Sequence, residues 1–180
     1  IADQAPSDLS DMMRIAVPSF NVNTQPISDA ATIVRPANLR GLSPDNTLVL
    51  LNGKRRHRAA VISFLGGGIA DGAHGPDLGV FPTIGLKQVE VLRDGASSQY
   101  GSDAIAGVIN FVLRDDREGA TLEAKYGSTY KGDGDNFRLC GNFGFPLGDS
   151  GFLNLSTEWT ESGDTNRSVQ RDDAAALIAA

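Results

Sequence analysis

Two histidines, one cysteine and a short basic run are the residues of this chain best equipped for chemistry, and their spacing serves none of the common reactions. His57 and His74 stand 17 residues apart, with none of the close ligand spacing that a zinc site requires. Cys140 is alone, which excludes an internal disulfide and a cysteine-based zinc site. No Gly-x-Ser-x-Gly turn presents a nucleophilic serine. Gly66–Gly68 is not followed by Lys-Ser or Lys-Thr, so it lacks the cation and hydroxyl of a phosphate cradle. Asp133-Gly134-Asp135-Asn136 has alternating oxygen donors, but a calcium loop closes on a bidentate Glu at its twelfth place. Counted from Asp133, that place holds Gly144, so the segment reads as a solvated turn. Lys54-Arg55-Arg56-His57-Arg58 has the charge to draw an anionic ligand, a lipid headgroup or nucleic acid. No aromatic residues interleave to stack on bases, and the run reads as a solvated hairpin arm or one facing acidic groups. The expectation is a protein with no catalytic residues, no metal, no cofactor and no enzymatic activity.

Composition points the same way. The net charge of −6 argues against nucleic acid as a partner. Residues 1–117 are near neutral, with 11 basic and 12 acidic side chains, whereas residues 118–180 carry 5 and 10. The longest apolar run is the Ala-rich tail Ala174–Ala180, far short of the roughly 20 residues of a membrane-spanning helix. Barrel strands need only about 9–11 residues of alternating polarity, so a membrane role stays open. The chain starts at Ile1 with no signal segment and reads as a piece of a longer or processed protein.

The elements that position these residues can be read in order. Ser7 or Asp8 can cap a helix carrying Leu9, Met12, Met13 and Ala16 at helical spacing, and Pro18 ends it. Phe20–Ala37 reads as extended loop with one strand near Thr32–Arg35. Thr47–Leu51 is a β-rich run followed by Asn52-Gly53, a pair that accepts the positive φ of a tight hairpin. Ala60–Pro82 is Gly-rich and reads as a long flexible loop. Gln88–Leu113 reads as strand, short helical turn, strand: Val89 and Val91, then Asp94-Gly95, Ala96–Tyr100, and Val108–Leu113.

That last segment, QVEVLRDGASSQYGSDAIAGVINFVL, closely resembles the end of the plug domain of TonB-dependent outer-membrane receptors. The matching positions are Val89–Gly95, Tyr100-Gly101 and Gly107–Asn110. The family's L-R-G-L…T-L-V-L-x-N-G-x-R hairpin is matched over Leu39–Gly53 and on to His57. Pro76-Asp77-Leu78-Gly79-Val80-Phe81-Pro82 is a variant of its V-D-L-N-x-I-P motif. The resemblance implies an α+β plug domain, a small mixed sheet with short helices, followed by antiparallel strands of a transmembrane β-barrel. It implies that Arg40 and Arg93, in the L-R-G and V-L-R-D-G motifs, grip acidic groups on the barrel interior, as a planar guanidinium fork can. It also implies that the loop holding Asp71 and His74 faces outward toward ligand.

After Gly119 the pattern becomes that barrel's. Leu122, Ala124, Tyr126, Ser128 and Tyr130 share one face of a period-2 segment. Phe137, Leu139, Gly141, Phe143 and Phe145 share a second, and Leu153, Leu155, Thr157 and Trp159 a third. Strands of about ten residues, apolar outside and polar inside, suit an outer-membrane barrel. Lys131–Asn136 then reads as an outer loop, Leu147–Gly151 as a periplasmic turn, and Glu161–Asp173 as the start of the next outer loop. With the boundary at Asp115–Gly119, residues 1–117 form the plug and 118–180 the first strands of an incomplete barrel. Three strands cannot close a barrel, and open edges are not tolerated in lipid.

By resemblance, the whole protein is a receptor and transporter in the outer membrane of a Gram-negative bacterium, with the plug inside the barrel lumen. It would take up a scarce nutrient such as a metal chelate, cobalamin or an oligosaccharide. Its partners would be outer-membrane lipid, the small extracellular nutrient and a TonB-type energising complex, whose contact segment has no match here. The rival reading is a soluble periplasmic α+β binding module with no transport role. Such a module must bury the apolar face of residues 122–159 under a second layer.

Overall fold

The computed structural model describes residues 9–22, 34–62 and 68–165. The capping residues Ser7 and Asp8, most of the Gly66–Gly68 run and the Ala-rich tail lie outside them. Helix α1 spans Leu9–Ala16 and buries Leu9, Ser10 and Met13. Pro18 follows it, as the sequence predicts. Strands β1 (Phe20–Asn21) and β2 (Asn38–Leu39) form a small antiparallel pair. No strand occupies Val34-Arg35, and Thr32 lies outside the described residues. Arg35 is fixed instead by Asp77, whose Oδ1 accepts its amide at 2.9 Å, and by the Leu78 amide, which donates to its carbonyl.

The body is a four-stranded mixed sheet in the order β4-β3-β6-β5, built from β3 (Thr47–Leu51), β4 (Lys54–Arg55), β5 (Leu86–Leu92) and β6 (Gly107–Leu113). The β3–β4 hairpin forms at Asn52-Gly53, with φ of 49° and 75°. The longer partner of β3 is β6, which runs parallel to it from Thr47↔Gly107 to Leu51↔Phe111. Asn52 and Gly53 stitch the turn to β6: the Asn52 side chain accepts the Leu113 amide, and Gly53 donates to Asn110 Oδ1 at 2.9 Å. Gly107 is required by its contacts, since at its φ of 147° a Cβ would sit 2.3 Å from the Leu92 carbonyl oxygen.

One sheet face carries Val49, Ile109 and Phe111 and packs under α1, Phe20, Leu39, Leu78 and Phe81. The other packs Leu48, Leu50 and Val108 on Ala96 and Ala104, which flank the short helix α2 (Ser97–Tyr100). The loop expected to be flexible is pinned over its described part. Ala70, Ala73 and Leu78 are buried, and Asp77 Oδ1 also accepts the Gly79 amide. Gly75 allows close approach to the body: a Cβ there would sit 2.8 Å from Pro36 and 2.9 Å from Pro44.

Beyond Leu113 the chain forms a separate antiparallel sheet of β7 (Gly119–Gly127), β8 (Asn136–Leu147) and β9 (Gly151–Ser162). Its strands of 9, 12 and 12 residues reach membrane-crossing length. The faces divide as the alternation predicts, with Ala124↔Leu139↔Trp159 and Phe143↔Leu155 on one side. Their polarity is the reverse of a water-soluble sheet. Leu122 is 71% exposed and Leu155 and Trp159 are 55% exposed, while Arg138 and Asn142 on the opposite face are 3% and 2% exposed. Phe137 and Trp159 meet edge to face on the outer side, ring centroids 5.7 Å apart. A small α+β body followed by an unclosed antiparallel wall, greasy outward and polar inward, is the architecture expected of a plug and the start of a barrel. No helix among the described residues is long and apolar enough to cross a membrane.

Candidate functional site: the seam between plug and wall

The wall meets the body at the 3-10 turn Thr83–Gly85, which leads directly into β5. Pro82 sets the turn's entry, Gly85 donates to the Pro82 carbonyl, and the Arg114 amide donates back to the Gly85 carbonyl. The turn is therefore anchored at both ends of the body's edge before it touches the wall. Against it lies Arg138 of β8. Its Nη2 donates to Thr83 Oγ1 and to Glu158 Oε2 of β9, the latter at 2.9 Å. Glu158 is itself largely covered, so this cation has a carboxylate on its own wall and a hydroxyl on the plug. Charge-assisted bonds of this kind are roughly twice as strong as neutral ones.

Below this contact the inner face continues as a polar ladder. Asn142 Nδ2 donates to Asn154 Oδ1 at 2.6 Å and to Ser156 Oγ at 2.8 Å. Asn154 Nδ2 reaches the Asp116 carbonyl at 3.3 Å, in the connector between plug and wall. Two glycines let the layers touch. A Cβ on Gly85 would meet Ser156 Oγ at 2.7 Å, and one on Gly144 would meet the Asp116 carbonyl oxygen at 2.5 Å. The connector is tied to β5 as well, through Lys87 Nζ and Asp115 Oδ1 at 2.7 Å. That hydrogen bond and its charge hold the Asp115 carboxyl below its ordinary range and the Lys87 ammonium above its own.

The residues singled out from sequence are distributed differently. Arg40 is exposed at a φ of 57° and lies 4.0 Å from Asp94, within the plug. Arg93 is exposed, directly after β5. Asp71 is exposed, and His74 is half-buried, its amide donating to Asp45 Oδ1 at 3.0 Å and its Nε2 facing the Ala59 carbonyl. The basic run faces acidic groups of the plug itself. Arg55 pairs with Asp103, Arg58 lies 3.8 Å from Asp45 and 3.9 Å from Asp103, and Arg56 stacks over the Phe81 ring. Among the described residues, no group of three or more His, Cys, Asp or Glu is placed to hold a metal.

Arg138, Glu158, Thr83 and Gly85 escaped sequence reasoning as site residues. A signal for two of them was present. The period of 2 puts Arg138 opposite Phe137 and Leu139 on β8, and Glu158 opposite Leu155 and Trp159 on β9. A charge at the middle of an inward face needs a partner. Thr83 and Gly85 carry no comparable signal, because their importance lies in what packs on them.

A small α+β domain set against the inner face of a strand-built wall, joined to it by a short connector and a polar seam, defines a plug with part of its barrel. The family model described as TonB-dependent Receptor Plug Domain matches residues 1–108, and the chain belongs to that family. Membership places it in the Gram-negative outer membrane with the plug inside the barrel. Among solved structures, the chain is similar to the ferric enterobactin receptor PfeA of Pseudomonas aeruginosa. A point variant of that receptor in complex with enterobactin superposes with a TM-score of 0.65 at 22% identity, over 90% of this chain and 23% of the other. A second variant gives 0.62 at 21% identity with the same coverage. PfeA bound to BCV-L6 gives 0.60 at 22% identity, again over 90% and 23%. Likeness at this level establishes the fold, and the chain spans under a quarter of those receptors.

Proposed function

We propose that the protein is a receptor and transporter for energy-coupled uptake of a scarce nutrient across the outer membrane. The observation that carries this reading is the inverted polarity of the wall: apolar residues face out along β7–β9 while Arg138 and Asn142 are buried against the plug. A wall with acyl chains outside and the plug inside makes that arrangement favourable. Residues 1–117 act as the plug and 118–180 as the first strands of the wall, whose remaining strands close the pore. Lipid covers the outer face, and a TonB-type complex supplies the energy that moves the plug. Arg40 and Arg93 contact the completed wall, and the loop with Asp71 and His74 faces the incoming ligand. The ligand is a metal chelate, cobalamin or an oligosaccharide; the similar structures are of a ferric enterobactin receptor, which supports the first of these.

The test uses the full receptor. It should fractionate with the outer membrane, and cells carrying it should accumulate the cognate nutrient only while a proton gradient is maintained. Recovery of the full protein as a soluble periplasmic species would overturn the reading in favour of a binding module. Outer-membrane residence with uptake indifferent to the gradient would remove the energy coupling alone.

A further inference from the structure

We propose that Arg138 is a wall-borne latch on the plug, and that its bond to Thr83 sets how readily the seam opens. The inference rests on the plugged-barrel reading and goes beyond it. One nitrogen, Nη2, is shared between Glu158 of the wall and Thr83 Oγ1 of the plug. The two bonds differ in consequence. When the plug moves, Arg138 keeps Glu158, because both belong to the same sheet and are held by the β8–β9 register, Arg138↔Thr160 beside Cys140↔Glu158. Of these two, only the Thr83 bond must break. The cation thus keeps its carboxylate, and at this point the seam is held by one hydroxyl on a charged donor, beside the close Gly85–Ser156 contact. The geometry is that of a contact built to separate and re-form.

Cys140 supplies a reporter. It is the only cysteine in the sequence, lies two residues from Arg138 on the same inward face, and is 2% exposed. Its thiol meets a water-soluble reagent only when the seam opens.

The experiment measures maleimide labelling of Cys140 in the full-length receptor, in outer membranes, with Cys140 as its only cysteine. Thr83→Val keeps the side-chain volume and removes the hydroxyl. It should raise the labelling rate by on the order of tenfold to a hundredfold, the loss of one hydrogen bond to a charged group. Thr83→Ser should label like the wild type, an outcome that a loss of packing alone would not give. Arg138→Met should raise the rate at least as much, and adding Thr83→Val to it should change nothing further. Equal labelling of wild type and Thr83→Val, in a receptor that resides in the outer membrane with an unchanged barrel melting temperature, overturns the latch and leaves the receptor reading intact. Rate increases that multiply in the double variant overturn it too. A full-length protein found outside the outer membrane overturns both readings.

Discussion

Gly85→Ala adds one methyl group to the seam and should unseat the plug. The new Cβ would lie 2.7 Å from Ser156 Oγ and 3.0 Å from Ser156 Cβ, against a comfortable carbon separation of about 3.5–4.0 Å. Gly85 lies outside the left-handed region of backbone space, so alanine adopts its conformation without strain and the whole cost comes from the wall. Ser156 can turn its hydroxyl away only by giving up the 2.8 Å bond from Asn142, a loss of about 0.5–1.5 kcal/mol. The Cβ–Cβ contact remains short after that rotation, and over-packing of this kind costs about 1–3 kcal/mol. We therefore expect plug docking to weaken by about 1–3 kcal/mol. Ser156→Gly removes both clashing atoms. Alone it should cost about 1–2 kcal/mol, from the lost Asn142 bond and the freer backbone of a strand glycine. Together the two substitutions should cost less than their sum, with a favourable coupling of about 1 kcal/mol or more. Hydrogen exchange of peptides spanning Thr83–Leu92 in the full receptor reads local opening of the seam directly. Strict additivity, or a Gly85→Ala receptor that exchanges like the wild type, would refute the close approach of turn and wall.

Gly144→Ala should be worse than Gly85→Ala, because its Cβ would meet backbone, the Asp116 carbonyl oxygen at 2.5 Å and the Glu118 nitrogen at 2.9 Å; limited proteolysis should cut the 114–118 connector faster. Gly107→Ala drives a Cβ to 2.3 Å from the Leu92 carbonyl oxygen at a φ of 147° and should separate β5 from β6, seen as lost amide protection across Val91↔Ile109. Leu155→Arg places a charge on the outward face of β9 and should cost about 2–4 kcal/mol if that position sits near the bilayer midplane; undiminished assembly into outer membranes would count against lipid on that face. The Lys87–Asp115 pair should hold between the ordinary acid and base ranges of its members. Asp115 is depressed, so its contribution is present above about pH 4 and fades as pH falls through its lowered value. Lys87 is raised, so its contribution is present below about pH 10 and fades as pH rises through its raised value. Lys87→Met should return the Asp115 carboxyl titration, followed by NMR, toward its ordinary position.

The sequence by itself determined the strands of the wall, the Asn52-Gly53 turn and the helix over Leu9–Ala16, because each depends on local preferences: period-2 alternation, positive φ, helical spacing. It also carried the ordered motifs around Leu39–His57 and Val89–Asn110, which the family match accounts for as far as residue 108. Alternation separated the two faces of β8 and the family resemblance turned the polar one inward, but neither says which plug residues that face meets. Tertiary structure decided that by setting the Thr83–Gly85 turn against Arg138 and Asn142 and leaving Leu139 and Phe145 outside. It likewise decided that β3 pairs in parallel with β6, since Thr47 and Gly107 are joined by a long crossover whose closure no local pattern encodes. The Ala60–Pro82 loop was misread for the same reason. Its glycines look permissive along the chain, and only the packing of Leu78, the bonds to Asp77 and the close approach at Gly75 show that its described residues 69–82 lie against the body.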